Sequence, residues 1–276
     1  MTIISPPVDT EKRFAFGQNW RAFLSRLDEE RILEAQRSLR EMLEAERLDG
    51  VSFLDAGSGS GLFSLAAAGL GASRIHSFDY DPDSVECTRE LKRRYRSEME
   101  SWTIERGSVL DAHYLAGLGE FDVVYSWGVL HHTGHLWRAL ELVTSPVRPE
   151  GKLFIAIYND QGLISRGWTA VKRIYNSGLP ARALVTGVFV PYFAGRGLLR
   201  DLVDLKNPVA RYRQYKKQRG MSMVHDWRDW LGGYPFQVAS RQSVIRFYED
   251  QGFRLIKLKS AGRSLGNNEF VFVKPA

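Results

Sequence analysis

An apolar strand, Val51–Asp55, runs through Ala56 into Gly57-Ser58-Gly59-Ser60-Gly61 and then into an apolar helical stretch, Leu62–Leu70. Closely spaced glycines let the backbone turn tightly and approach a ligand without Cβ clashes. The free N–H groups at the start of the next helix then face that ligand. A strand–turn–helix unit of this kind needs a parallel neighbour strand and cover on both faces.

The rest of the chain supplies those partners. Residues Arg21–Arg47 read as a helix from Ile32, Ala35, Leu39 and Met42, which recur at three- and four-residue spacing, with Gly50 as the stop. Beyond the glycine turn come strand Arg74–Asp79, helix Asp83–Arg96, strand Thr103–Arg106 and strand Phe121–Ser126. Thr133 is expected to open a helix, and strand Lys152–Tyr158 is entered through the turn Pro149–Glu150–Gly151. The alternation then halts, and from Asn159 to about Ser240 there are helical stretches and turns without a strand. A helix at Arg241–Gln251 and strands at Phe253–Leu258 and Glu269–Val273 close the chain. The expected fold is α/β, a mainly parallel seven-stranded sheet with helices on both faces. It divides into a helical flap over 1–50, a core over 51–158 and 241–276, and a largely helical lid or insertion over 159–240.

Composition narrows the class. With 276 residues, 44% of them hydrophobic and 25% charged, the chain suits a soluble enzyme of one large domain or a core with an insertion. Its one cysteine, Cys87, excludes an intrachain disulfide and reads as a structural thiol in a reducing compartment. Met1–Thr10 lacks the charged and apolar regions of a signal peptide, and Ala183–Ala194 is too short to span a bilayer. A cytoplasmic location is expected. The formal charge of +6 is concentrated at Arg211, Arg213, Lys216, Lys217 and Arg219, read first as a solvated helix face and second as contact with an anionic partner.

Three details sharpen the glycine turn. Leu62 stands where a dinucleotide fingerprint wants its last glycine, Asp55 ends the strand before the turn, and Asp79 ends the next strand, where a carboxylate can accept both hydroxyls of a ribose. Together with Phe78-Asp79-Tyr80-Asp81-Pro82, Gly107-Ser108-Val109-Leu110-Asp111, Phe121-Asp122-Val123-Val124-Tyr125-Ser126, Leu130-His131-His132 and Val147-Arg148-Pro149-Glu150-Gly151-Lys152-Leu153, this order resembles the class I, Rossmann-like S-adenosylmethionine-dependent methyltransferases, closest in feel to small-molecule O-methyltransferases. The resemblance covers residues 50–158 in order and 241–276 more loosely. It implies S-adenosylmethionine as cofactor, with Asp55 among the residues that bind it and the loop of Gly57, Ser58, Gly59 and Gly61 at its methionine part. Asp79 would take the ribose hydroxyls, Tyr80, Ser108 and Val109 would border the adenine, and Ser126 would sit at the methionyl end. Two positions depart from the family. Glu150 replaces the first glycine of the turn before strand five, and Ser108 stands where many relatives carry Asp, which puts the adenine amino contact in question. Asp111 is the nearest carboxylate and could equally cap a turn.

In open α/β sheets, ligands bind beyond the carboxyl ends of the strands. On the acceptor side that points to Trp127–His135, Tyr158–Gln161 and the insertion. His131 and His132 are the candidate general bases, since imidazole titrates near neutrality. Neighbouring residues lie about 100° apart on a helix, so only one is expected to face a substrate. His131 is preferred; the resemblance aligns His132 with a histidine that is often structural. His225 beside Asp226 is a second candidate pair. His135 lacks a cysteine or carboxylate at ligand spacing, so no metal is expected. Phe16–Trp20, and Trp20 in particular, are placed as a flap over the cofactor.

The aromatic stretches Leu179–Leu205 and Met221–Phe236 read either as a lid burying the acceptor or as a helical cap with its own core or a dimer interface. The expected reaction is methyl transfer to a hydroxyl, less readily an amine, of a small amphipathic metabolite. The alternatives are RNA or protein methylation using the basic run, and a non-catalytic cofactor-binding scaffold. Against nucleic acid stand the lack of an appended RNA-binding module and Ser126-Trp127-Gly128-Val129 in place of an Asn-Pro-Pro-aromatic element. Peripheral membrane contact and a homo-oligomer are further partners the apolar lid allows.

Overall fold

Strands made almost wholly of apolar residues are stable only where both faces are covered, and a central sheet accommodates them here. The computed structural model describes Trp20, Leu24, residues 27–204, Asn207, Trp227, residues 230–262 and residues 264–276. Its strands are β1 (Ser52–Ala56), β2 (Arg74–Asp79), β3 (Trp102–Arg106), β4 (Phe121–Trp127), β5 (Val147–Tyr158), β6 (Arg254–Lys259) and β7 (Asn267–Val273). They form one seven-stranded sheet in the order β3-β2-β1-β4-β5-β7-β6. β1 to β5 are parallel, and β7 runs antiparallel to both β5 and β6.

Register decides which side chains meet. Phe53 lies opposite Ile75 and Val123, while Asp55 lies opposite Ser77 and Tyr125, which in turn faces Phe154 and, through it, Val271. Opposed residues share a face. On that face Phe53, Ile75, Val123, Phe154 and Val271 pack against α1 (Glu29–Leu43), α2 (Leu62–Gly69) and α3 (Pro82–Tyr95), with Leu39, Met42, Leu65 and Leu91 buried between them. The Cys87 thiol is buried in the same core. On the other face Leu54, Val124, Leu153, Ile155 and Phe272 pack against α4 (Ala112–Gly117), α5 (Leu136–Leu142) and α8 (Arg241–Glu249).

The helix α4 was not expected from the sequence, several strand ends differ by one or two residues, and three further differences have a local reason. Among the described residues from 27 onward, the helix expected over Arg21–Arg47 runs only from Glu29 to Leu43. Asp28 caps α1 by accepting from the Arg31 N–H at 3.0 Å, and Glu44, at φ 51°, ends it before Gly50. Thr133 does not open α5. Its hydroxyl donates to the Leu130 carbonyl (2.7 Å) and accepts from the His135 N–H (3.1 Å), closing a 3-10 turn over Leu130–His132. The turn Pro149–Glu150–Gly151 lies inside β5, where the pairing with β4 shifts register.

The segment after β5 contains α6 (Leu163–Tyr175) and α7 (Leu179–Val203). Tyr175, Val185 and Leu231 form a small separate core with Trp168, Phe189, Phe193 and Trp230. Both roots of the segment are pinned together. Asn159 and Ala239 form a parallel bridge, with Ala239 N–H to Tyr158 O at 3.1 Å and Asp160 N–H to Ala239 O at 3.2 Å. Among the described residues no helix is long and apolar enough to cross a membrane.

Glu150 sits at φ 60°. A left-handed conformation costs an L-residue about 1–2 kcal/mol, partly offset in glycine by the entropy of its unfolded chain. Glu150→Gly is therefore expected to raise the urea midpoint, by about 0.5–1 kcal/mol in unfolding free energy. A lowered midpoint at unchanged slope rules out strain at this residue.

Candidate functional site

Strand order reverses between β1 and β4, and a crevice opens there at the carboxyl ends of the strands, where the connections diverge to opposite faces. Its cavity volume is about 590 Å³, a size that suits a nucleoside-sized ligand together with a small second one.

One half of the crevice is backbone. The turn after β1 is tied to β2 by Gly57 N–H (2.8 Å) and Ser58 N–H (3.0 Å) donating to the Phe78 carbonyl. Both carboxylate oxygens of Asp79 are then held, Oδ2 by the Gly59 N–H and Oδ1 by the Asp81 N–H, each at 2.9 Å. The Tyr80 N–H also acts on this carboxylate, which keeps lone-pair capacity for a ligand hydroxyl. Asp81 goes on to cap α3 through the Asp83 N–H. Gly59 is a close approach: at φ 55°, a Cβ there would stand 3.0 Å from the Trp20 indole, which lies over the turn and lines the cavity. Tyr80, Ser108 and Val109 also line it. The Arg106 guanidinium sits 5.3 Å from the Tyr80 ring centroid. The Ser108 hydroxyl accepts from the Leu110 N–H, and Asp111 caps α4.

Two expected cofactor residues face elsewhere. A Cβ on Gly61 would meet Thr88 of α3 at 2.8 Å, so this glycine serves helix packing and not the cavity wall. Ser126 is fully buried on the opposite face of the sheet and donates to the Ala56 carbonyl at 2.8 Å. Side chains alternate along a strand, so its neighbours Tyr125 and Trp127 line the cavity instead. The Tyr125 hydroxyl is buried without a hydrogen-bond partner among the described residues.

Asp55 ends a directed relay. The Trp102 indole N–H donates to Ser77 Oγ (2.8 Å), Ser77 meets Ser64 Oγ (2.7 Å), and Ser64 donates to Asp55 Oδ2 (2.5 Å). Each hydroxyl has one proton, so with the indole donating at one end every proton points toward the carboxylate. Burial nevertheless pushes the Asp55 carboxyl up to about 7, against the Ser64 hydrogen bond and with help from the nearby Asp79 charge. Burial likewise lifts Asp79 to about 6, against its backbone donors. Ionising either group inside the crevice is costly unless a ligand compensates.

The other half of the cavity is aromatic, with Trp127, Tyr158, Trp230 and Tyr234. The 3-10 turn after β4 splits the histidine pair. His131, the preferred base, turns into the interior, fully buried, with Tyr158 N–H 3.4 Å from its Nδ1 and no partner for Nε2 among the described residues. Burial, then the neighbouring His132 and Lys172, hold its pKa well below the usual value, so it stays neutral and away from the cavity. His132 lines the cavity. Its Nδ1 is 2.6 Å from the Pro235 carbonyl; a carbonyl can only accept, so Nδ1 carries a proton. His225 and Asp226, Phe16–Asn19 and the basic run 211–219 lie outside the described residues.

Sequence reasoning passed over Lys172. It is 1% exposed on α6 yet lines the cavity. Its Nζ donates to the Trp230 carbonyl and lies 4.3 Å and 4.9 Å from the Trp230 and Phe236 ring centroids. Burial alone brings its pKa down to about 7. The signal was available: Trp168, Lys172 and Tyr175 share one helix face, and a lysine on a buried face is rare without a role.

Residues 54–155 match the family described as methyltransferase domain. The ribosomal protein L11 methyltransferase of Methylococcus capsulatus is 30% identical over 135 residues, 49% of this chain and 41% of that protein. The matches thus span about two fifths of the length of these curated relatives. Among solved structures, magnesium protoporphyrin IX methyltransferase from Synechocystis PCC 6803 with bound SAH superposes with a TM-score of 0.51 at 14% identity, covering 98% of this chain and 89% of that one. A SAM-dependent methyltransferase from Aquifex aeolicus does so at 0.51 and 12% identity, covering 93% and 97%. At these identities the structural likeness is one of fold.

The raised Asp55 pKa has a measurable sign. Between about 3.8 and about 7 the folded chain holds a proton the unfolded chain has lost, so stability falls as pH rises through that window. Asp55→Asn keeps an acceptor for Ser64 and removes the buried charge. It is expected to raise the melting temperature of the ligand-free protein, by clearly more at pH 8 than at pH 5. Equal shifts at both pH values rule out a raised proton affinity of Asp55 in the folded state.

Proposed function

We propose that this chain, a class I methyltransferase by its fold and by the domain family matched over residues 54–155, binds S-adenosylmethionine in the crevice and methylates an oxygen of a small amphipathic acceptor. The residues fit the cofactor. The turn Gly57–Ser60 presents backbone to the cavity, Asp79 presents two fixed oxygens, and Tyr80, Ser108 and Val109 offer a mostly apolar border for a base. When bound, S-adenosylmethionine supplies an electrophilic methyl group on a sulfonium centre.

The chain's own work is alignment, exclusion of water and handling of one proton. Asp79 grips the ribose hydroxyls while the turn Gly57–Ser60 cradles the remainder. Asp55, ionised when a cationic ligand faces it, complements the positive charge. His132, which lines the cavity, takes the acceptor's proton, and the Pro235 carbonyl, accepting from Nδ1, steadies the imidazolium that forms. Trp127, Tyr158, Trp230 and Tyr234 keep water from the transfer.

The observation that carries a small acceptor is this aromatic half of the cavity, walled partly by α6 and the Trp230–Tyr234 segment. A second reading, methylation of a protein, is favoured by the names of the curated relatives, which match this chain over less than half of their own length. A silent scaffold would not need Asp79 and the glycine turn in working order.

Two measurements test the reading. Asp79→Ala is expected to weaken adenosylhomocysteine binding, by titration calorimetry, by about tenfold or more, since it deletes a charged acceptor of two hydrogen bonds. Unchanged affinity removes Asp79 from the ribose site. Incubation of labelled S-adenosylmethionine with separated cell fractions is expected to place label in small molecules, with His132→Gln slowing transfer at unaltered adenosylhomocysteine affinity. Label found only in protein overturns the small acceptor.

A further inference from the structure

Lys172 is buried in the acceptor half of the crevice, with no counter-ion among the described residues. Its Nζ spends one donor on the Trp230 carbonyl and lies against the Trp230 and Phe236 rings. Among the described residues no carboxylate influences it; burial is the only cause acting on its proton affinity. Of the polar residues lining the cavity with its aromatic wall, His132, Tyr158, Tyr234 and Asn267, none is a carboxylate. An ammonium has three donors, so protonated Lys172 has hydrogen bonds and a charge left to satisfy. Taking a cation out of water without a counter-ion is expensive, and an anion delivered into the cavity would relieve that cost.

We propose that Lys172 recognises the acceptor through an oxyanion, a carboxylate or a phenolate, carried on a flat apolar frame that lies among Trp127, Tyr158, Trp230 and Tyr234. This inference rests on the crevice being a methyltransferase site, with the cofactor filling the glycine-lined half. Lys172 is then the residue that selects the acceptor, while His132 handles the proton. A neutral acceptor of the same shape binds poorly because it leaves the buried charge uncompensated.

The test uses the protein saturated with adenosylhomocysteine and titrated with benzoate, with benzamide as the neutral match and 4-nitrophenolate as the phenolate arm, read by NMR line broadening. Wild type is expected to bind benzoate or 4-nitrophenolate at least about tenfold tighter than benzamide. Lys172→Met abolishes the preference and leaves adenosylhomocysteine affinity unchanged; Lys172→Arg keeps it. A measurement that needs no variant is protection: benzoate slows reductive methylation of Lys172 by formaldehyde and borohydride, followed on its peptide by mass spectrometry, and benzamide does not. Equal or undetectable binding of the probes by wild type, a preference that survives Lys172→Met, or no protection overturns the proposal. If adenosylhomocysteine itself fails to bind wild type, the methyltransferase reading has failed, a result distinct from loss of the anion preference alone.

Discussion

Two backbone N–H groups from separate turns meet on the single carboxylate of Asp79, one from Gly59 after β1 and one from Asp81 after β2. This clamp joins the ends of β1 and β2, beside the β1–β4 boundary where the connections diverge. It fixes the height of the glycine turn, sets the start of α3 through Asp81, and aims what remains of the carboxylate's hydrogen-bonding capacity into the open crevice. The sheet supplies the position, and the clamp converts it into a ligand surface.

The crevice holds several groups that a core optimised only for stability would avoid. Asp55 and Asp79 have their proton affinities raised by burial, Lys172 has its own lowered by the same cause, and the Tyr125 hydroxyl is enclosed without a partner. All four line one cavity. Clustered costs of this kind mark places where stability gives way to binding. Their signs also differ along the crevice, with carboxylates toward the glycine turn and a lysine toward α6, so its two ends favour ligands of opposite charge.

Much of this was legible in the sequence. The glycine run, the acidic ends of β1 and β2, and strands separated by helices led to the sheet and to the cofactor half of the site, because each depends on local periodicity or on a residue type that only one backbone geometry needs. What was missed depended on direction. Ser126 was placed in the site although it shares a face with Val124, whereas Tyr125, opposite Asp55, shares the face that opens to the cavity. The histidine pair was read as a choice with His131 preferred. A 3-10 turn rotates neighbours by about 120°, and where that turn sits against β5 is a tertiary fact. Lys172 was hidden for another reason: its burial comes from Trp230 and Phe236, more than fifty residues away in sequence. The helix limits at Asp28 and at Thr133 were set by side-chain caps that compete with hydrophobic periodicity.

The segment between β5 and α8 leaves and re-enters the sheet at adjacent points, held by the Asn159–Ala239 bridge and the hydrogen bonds beside it. A chain whose two ends are already joined adds little closure entropy when its length changes. Lengthening, shortening or rewriting what lies between those anchors therefore leaves the nucleoside half of the crevice almost untouched. The architecture separates a conserved-geometry socket from an interchangeable hood, so that a new partner molecule can be accommodated by altering the hood while the socket keeps its shape.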